Sequence, residues 1–109
     1  MTVIVEDTST HYRLRLAPWQ LKLLQDELRD TRKRKAQSKL GVTSEPRCII
    51  TTTLPSGRKR VYHLFDRMVL MDVGARKVWP FYFGLQLSEW LREAQPRPSR
   101  VVPFNPAVP

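Results

Sequence analysis

The most strongly charged stretch of the sequence runs from Arg29 to Lys39 and holds six cations and one anion. The chain has a formal net charge of +9 at pH 7, so more than half of that net charge lies in this stretch. Guanidinium and ammonium groups bind phosphate and carboxylate oxygens. The stretch therefore predicts contact with a polyanion or an acidic protein surface, through Arg29, Arg32, Lys33, Arg34, Lys35 and Lys39.

The main alternative is that these cations only keep a helix end solvated. Charge runs are usually solvated faces, and cations in the last helical turn stabilise the helix by about 0.3–1 kcal/mol each. That effect fades within one turn, so it accounts for one or two of the six cations. Four consecutive cations, 32–35, also advance by about 100° each and surround a helix instead of forming one face.

A second basic cluster, Arg58, Lys59 and Arg60, follows the turn signal Pro55-Ser56-Gly57. At the tip of a hairpin these cations either protect a strand edge or contact phosphates. Tyr62 follows two residues after Arg60, and an aromatic ring near phosphate contacts can stack on a nucleic-acid base. In a simple layout this tip and the basic helix end lie at opposite ends of the domain and form no common patch.

Residue types that carry catalysis are sparse and scattered. His11 and His63 lie on predicted strands without a neighbouring carboxylate and nucleophile, as a catalytic triad would need. The four glycines are widely separated, which excludes a glycine-rich phosphate loop. The single cysteine, Cys48, cannot form an internal disulfide and is best explained as a small buried apolar residue. We expect no enzymatic activity, no metal site and no cofactor.

The densest apolar run is Trp79-Pro80-Phe81-Tyr82-Phe83. We expect it to close the open end of a sheet beneath a helix, as large apolar residues usually are buried. The alternative is that Phe81 or Tyr82 is exposed and contacts a partner, because aromatic residues dominate such sites.

The elements that position these residues follow from hydrophobic periodicity. A helix is predicted from about Pro18 to about Lys39, with Leu21, Leu24 and Leu28 at helical spacing, and a second from about Leu85 to Ala94. A short β-prone run predicts a strand in 2–5, and alternation predicts one in 11–16. Turn signals separate three or four further strands between 47 and 79. The predicted fold is α+β: an antiparallel β-meander of three to four strands, an N-terminal strand or hairpin, and two helices packed on the sheet, in the order β-α-β-β-β-α.

Length predicts a single domain, which we place at 1–95. Residues 96–109 contain five prolines and predict an extended tail. We find no signal-peptide pattern and no apolar run long enough to span a membrane. With one cysteine, these features favour the cytoplasm.

The pI of the chain is near 10.5. Two functions fit this basic character and the features above. The first is a small basic non-enzymatic protein that binds nucleic acid through phosphate contacts, with weak sequence preference. The second is a protein-binding adaptor or small inhibitor that acts on an acidic protein surface. A homodimer, built on an uncovered sheet edge or on the aromatic cluster, is compatible with both. Membrane binding is disfavoured because the basic stretch lacks interleaved apolar residues.

Overall fold

The computed structural model describes residues 2–37 and 45–95. Lys39 and the proline-rich tail at 96–109 lie outside the described residues. The elements, in chain order, are β1 (Thr2–Asp7), β2 (Arg13–Leu14), α1 (Pro18–Arg32), β3 (Cys48–Thr53), β4 (Lys59–Phe65), β5 (Val69–Asp72), β6 (Lys77–Pro80) and α2 (Phe83–Ala94).

The strands form one six-stranded antiparallel sheet in the order β2-β1-β3-β4-β5-β6. The predicted meander is present as β3 to β6, and the predicted N-terminal hairpin as β1 and β2. Strand β1 lies between β2 and β3, so a single sheet contains both units. The predicted α+β class is confirmed.

One face of the sheet carries the core. Successive residues of a strand point to opposite faces, and the register aligns Val5, Ile50 and Tyr62 on the same face. Both helices add to the cluster on this face. The buried members of the cluster are Val5, Leu14, Leu24, Leu28, Cys48, Ile50, Tyr62, Leu64, Leu70, Trp79, Phe81, Leu87, Trp90 and Leu91. We call this side the helix face, and the opposite side the open face.

Helix α1 is shorter than predicted, since it ends at Arg32 and not near Lys39. It buries Leu24, Leu28 and Thr31, and beyond Thr31 no residue of the basic run offers an apolar side chain to the core until Ala36. Trp19, in the first turn of α1, is 60% exposed. Trp19 packs edge-on against Trp90 of α2, with ring centroids 5.7 Å apart.

Helix α2 begins next to the β4–β5 turn. Asp66 and Arg67 both have positive φ, 48° and 64°, as in the type I′ turns that suit hairpin twist. Gly84 lies against this turn: a Cβ on Gly84 would overlap the carbonyl group of Arg67 and lie 2.8 Å from Leu64 Cδ1. Only a residue without Cβ permits this approach of helix to turn.

We therefore expect Gly84→Ala to destabilise the fold by about 1–3 kcal/mol, the usual cost of overpacking. Urea unfolding of the two proteins measures the difference. Gly74→Ala is the matched control, because its Cβ would meet Asp72 Oδ1 at an ordinary 3.7 Å. Equal stability of the Gly84→Ala variant and the wild type would contradict the packing described here.

Asp7 joins the end of β1 to the end of α2. Asp7 Oδ1 accepts hydrogen bonds from Ser9 Oγ at 2.7 Å and from the backbone N–H groups of Ser9 at 2.9 Å and Thr10 at 3.3 Å. Gln95 Nε2 donates to Asp7 Oδ2 at 2.9 Å. Burial raises the pKa of Asp7, but the hydrogen bonds from Ser9, Gln95 and Thr10 outweigh burial and lower it below the ordinary 3.8.

Because the folded state lowers this pKa, Asp7 stabilises the protein above pH 3.8, and the contribution is lost as pH falls through the lower folded value. We expect Asp7→Asn to cost about 1–3 kcal/mol at neutral pH, since the Asn amide cannot accept from Gln95 as Oδ2 does. The variant's stability should also depend less on pH in the acid range. Urea unfolding across that range measures both effects, and parallel pH curves would refute the role of Asp7.

Candidate nucleic-acid interface

The two predicted basic clusters contribute to one surface cleft of about 750 Å³. Three parts of the fold form its walls: the start of β4, the β5–β6 turn and the end of α1. The cations that line it are Arg32, Arg58, Lys59, Arg60 and Lys77. The expectation that helix end and hairpin tip lie at opposite ends of the domain is wrong for Arg32, which shares the cleft with Arg58 and Arg60.

Strand register explains why these cations meet. Arg60 is two residues before Tyr62, so it points to the helix face. Tyr62 pairs with Asp72, and Asp72 pairs with Lys77, which puts Lys77 on that face too. Strand β5 ends at Asp72, so the first residues of β4 extend past it and leave a notch. The end of α1 lies over this notch and supplies Arg32.

The positive charge of the cleft is poorly compensated. Among the residues that the structure describes, no carboxylate lies within 4.0 Å of the charged groups of the five lining cations. Asp72 is the one acidic residue among the described lining residues, and it is buried, with Oδ1 accepting the backbone N–H of Ala75 at 3.1 Å. Charges concentrated in a cleft with low-dielectric walls attract anions more strongly than scattered ones.

Arg29 differs from the five lining cations. Its Nη2 lies 3.1 Å from Asp26 Oδ1, and its Nε lies 3.7 Å from Asp30 Oδ1. Arg29 lines a smaller neighbouring cavity and not the cleft. Two acidic neighbours therefore offset its charge.

The chain after α1 is attached to the edge strand β6. The indole Nε1 of Trp79 donates to the carbonyl oxygen of Arg34 at 3.1 Å, and the backbone N–H of Gln37 donates to the carbonyl oxygen of Val78 at 2.7 Å. These contacts replace the helical turns predicted here. Lys33, Arg34 and Lys35 are exposed and lie outside the cleft lining.

We expect Trp79→Phe to release this attached segment, because Phe lacks the indole donor. Limited trypsin digestion should then cut faster after Lys33, Arg34 or Lys35, by more than any change after Arg58 or Lys59. The ratio of cleavage after Lys33, Arg34 or Lys35 to cleavage after Arg58 or Lys59 separates local release from global loss of stability, which a smaller core ring also causes. An unchanged ratio would contradict the anchoring role. Tyr82→Phe is the control, since Tyr82 is 68% exposed.

A smaller cavity of about 180 Å³ adjoins the cleft, and Arg32 and Arg60 line both. Tyr62 also lines it. Tyr62 is only 2% exposed, and burial raises the pKa of its phenol to about 12, with the Arg60 charge lowering it and the Asp72 charge raising it. The ring face of Tyr62 is thus covered by the core, and base stacking on it, as predicted from the sequence, is disfavoured.

The other two predicted aromatic contacts differ from each other. Phe81 is 1% exposed and belongs to the core, so its ring is not available to a partner. Tyr82, the next residue, is exposed, as stated above, and stays a candidate contact.

Sequence reasoning missed Lys77 and Trp79 as parts of this site. The basic pair Arg76-Lys77 in a turn was a visible signal, comparable to Arg58-Lys59-Arg60. The anchoring role of Trp79 had no signal in the sequence, because its acceptor is a backbone carbonyl 45 positions away.

The Cys48 thiol lies in the buried core. Burial and, to a smaller degree, the charge of Asp7 raise the pKa of the Cys48 thiol to about 12, against a lowering by Arg47, so the thiol is protonated and poorly nucleophilic. Within residues 2–37 and 45–95, no group of three His, Cys, Asp or Glu side chains could hold a metal ion. Neither described helix is long and apolar enough to cross a membrane.

Comparison with known proteins gives no relative: no family model, no curated protein and no solved structure matches the chain.

Proposed function

We propose that this chain is a small basic non-enzymatic intracellular protein that binds nucleic acid through phosphate contacts in the cleft. The observation that supports the proposal most directly is the convergence of Arg32, Arg58, Lys59, Arg60 and Lys77 on one surface. These cations come from separate elements, and among the described residues they have no acidic partner within 4.0 Å.

The arrangement suits a polyanion better than one small anion. The five cations line a cleft of about 750 Å³, so they are spread over its walls and not focused on one point. The phosphates of a nucleic acid repeat along its backbone, and each cation can neutralise a different one. Arginine also forms two parallel hydrogen bonds to one phosphate group. Contacts of this kind give affinity with little sequence preference.

The exposed run Lys33, Arg34 and Lys35 extends this positive surface. It lies next to the cleft in the chain, and its path is fixed by the hydrogen bonds of Arg34 and Gln37 to β6. We expect it to add long-range attraction, while the cleft makes the close contacts. Arg29, already paired with Asp26, should contribute least.

The test is a titration with short single- and double-stranded DNA and RNA oligonucleotides at several salt concentrations. We expect affinity to fall with salt, at a slope of about 0.9 per phosphate contact for duplex DNA. Arg60→Gln should lower the slope by about 1 and weaken binding by about tenfold, equivalent to about 1.4 kcal/mol. The loss should be similar for all sequences tested.

Arg47→Gln is the matched control, because it makes the same change in net charge at an exposed position outside the cleft. Arg47 precedes β3, so it lies at the far end of the β3–β4 hairpin from Arg58. Equal losses of oligonucleotide affinity in Arg47→Gln and Arg60→Gln would show that binding depends on net charge and not on the cleft. Absence of binding to every oligonucleotide near physiological salt would overturn the proposal.

An acidic protein surface is the second candidate for this cleft. Exposed aromatic side chains outside the cleft favour a protein partner that reaches beyond it, namely Trp19 and Tyr82, because such residues form the centres of protein interfaces. Trp19→Ala and Tyr82→Ala should leave oligonucleotide binding unchanged. If oligonucleotides do not bind, a protein partner lost from both the Arg60→Gln and the Tyr82→Ala variant would support this second function.

A further inference from the structure

The open face of the sheet is rich in apolar side chains although no described helix covers it. Register aligns Ile4 with Val61 through Thr51, and aligns Ile49 with Met71 through His63. Ile4 is 38% exposed, and most of the other apolar side chains of this face are half-buried. Those half-buried side chains are Ile49, Val61, Val69, Met71 and Val78. Antiparallel sheets that face water usually alternate apolar with polar residues, and this face departs from that pattern.

We propose that a second copy of this chain packs on the open face, sheet against sheet, so that the two basic clefts of the dimer face outward. Dimerisation is independent of the proposed function, whereas the role of the two clefts in the dimer rests on that function.

Shape favours an identical partner. Two sheets with the same right-handed twist pack face to face at about −30°, with interdigitating side chains. A second copy has the same twist by construction. A two-fold axis that lies between the two open faces, parallel to the sheets and over the row of Ile49, His63 and Met71, would bring this row against the same row of the partner, as isologous dimers require.

Charge also favours a second copy, despite the net charge of +9. The centre of the open face carries no full charge at neutral pH, because burial lowers the pKa of His63. Glu6, at one side, accepts a hydrogen bond from Arg13 Nε at 3.2 Å, and Lys59 lies at the start of β4. Four of the five cleft cations, Lys59 being the exception, lie on the helix face or in turns. An acidic partner would therefore be drawn to the cleft and not to this face.

The area of the open face indicates the expected affinity of the dimer. Six strands about 4.8 Å apart and roughly five residues long give a flat area of about 400 Å² for each copy. Side-chain relief increases it, so a dimer buries on the order of 1,000 Å² in total, the low end for a specific interface. We expect a dimer in the micromolar range.

Pairing at the sheet edges is the less favourable route to a dimer. At the β6 edge, Gln37 already donates to the carbonyl oxygen of Val78. At the other edge, β2 is only two residues long, Arg13–Leu14. Short edge strands and covered edges both disfavour strand addition.

The test is sedimentation of the full chain without nucleic acid over a series of protein and salt concentrations. The wild type should shift from the monomer mass of 12.8 kDa toward twice that value as concentration rises. Added salt should strengthen the dimer, because it screens repulsion between two positive copies, whereas it weakens nucleic-acid binding. Met71→Asp should raise the dimer dissociation constant at least tenfold. Leu23→Asp is the matched control, since Leu23 is an exposed apolar residue of α1.

If Met71→Asp does not fold, Thr51→Arg tests the same face at a position that is already polar. A wild type that stays monomeric at all concentrations overturns the proposal, whether residues 96–109 or another protein then covers the face. If both Met71→Asp and Thr51→Arg leave the dimer intact, the dimer interface does not lie on the open face, and the proposal is overturned. A dimer that binds no oligonucleotide refutes the proposed function and leaves the dimer standing.

Discussion

The structure depends on covering one face of a single antiparallel sheet with two helices. Strand alternation assigns every side chain to one of two faces, and the buried cluster of Ile50, Tyr62, Leu64 and Leu70 selects which face meets the helices. Burying such side chains contributes about 1.5–3 kcal/mol each, far more than any surface ion pair. Helix placement is therefore fixed by the core, and the charged groups occupy the positions that this packing leaves to them.

The basic cleft exists because burial of the core outweighs the repulsion between surface charges. Repulsion among Arg32, Arg58 and Arg60 works against bringing them together. The core overrides it, because Leu28 and Thr31 hold the last turns of α1 over the sheet. Trp79 and Gln37 then direct the following segment along β6. Folding free energy supplied by the apolar core thus maintains a concentration of like charge, and an anionic ligand would relieve the repulsion on binding.

Local patterns in the sequence predicted most elements and failed at the contacts between distant residues. Helical spacing located α1 through Leu24 and Leu28, and turn signals such as the one at Gly57 separated the strands. The end of α1 was placed too late, because its termination depends on acceptors and donors in β6, which no local pattern reveals. The convergence of Arg32 with Lys77 was missed for the same reason. In β4, apolar side chains on both faces left the sequence silent about which face the helices cover.

The position of β1 has a consequence for the order in which the sheet forms. Strands β3 to β6 are joined by short turns, so their pairing requires the closure of small loops. Thr2–Asp7 pairs with Cys48–Thr53, and this contact must close a loop that contains α1 and the whole basic run. Long-range pairings of this kind slow folding. During synthesis, β1 emerges before its partner strand exists, and its backbone N–H and C=O groups on that side stay bonded to water until β3 appears. The topology thus favours pairing within the meander before the first strand docks on it.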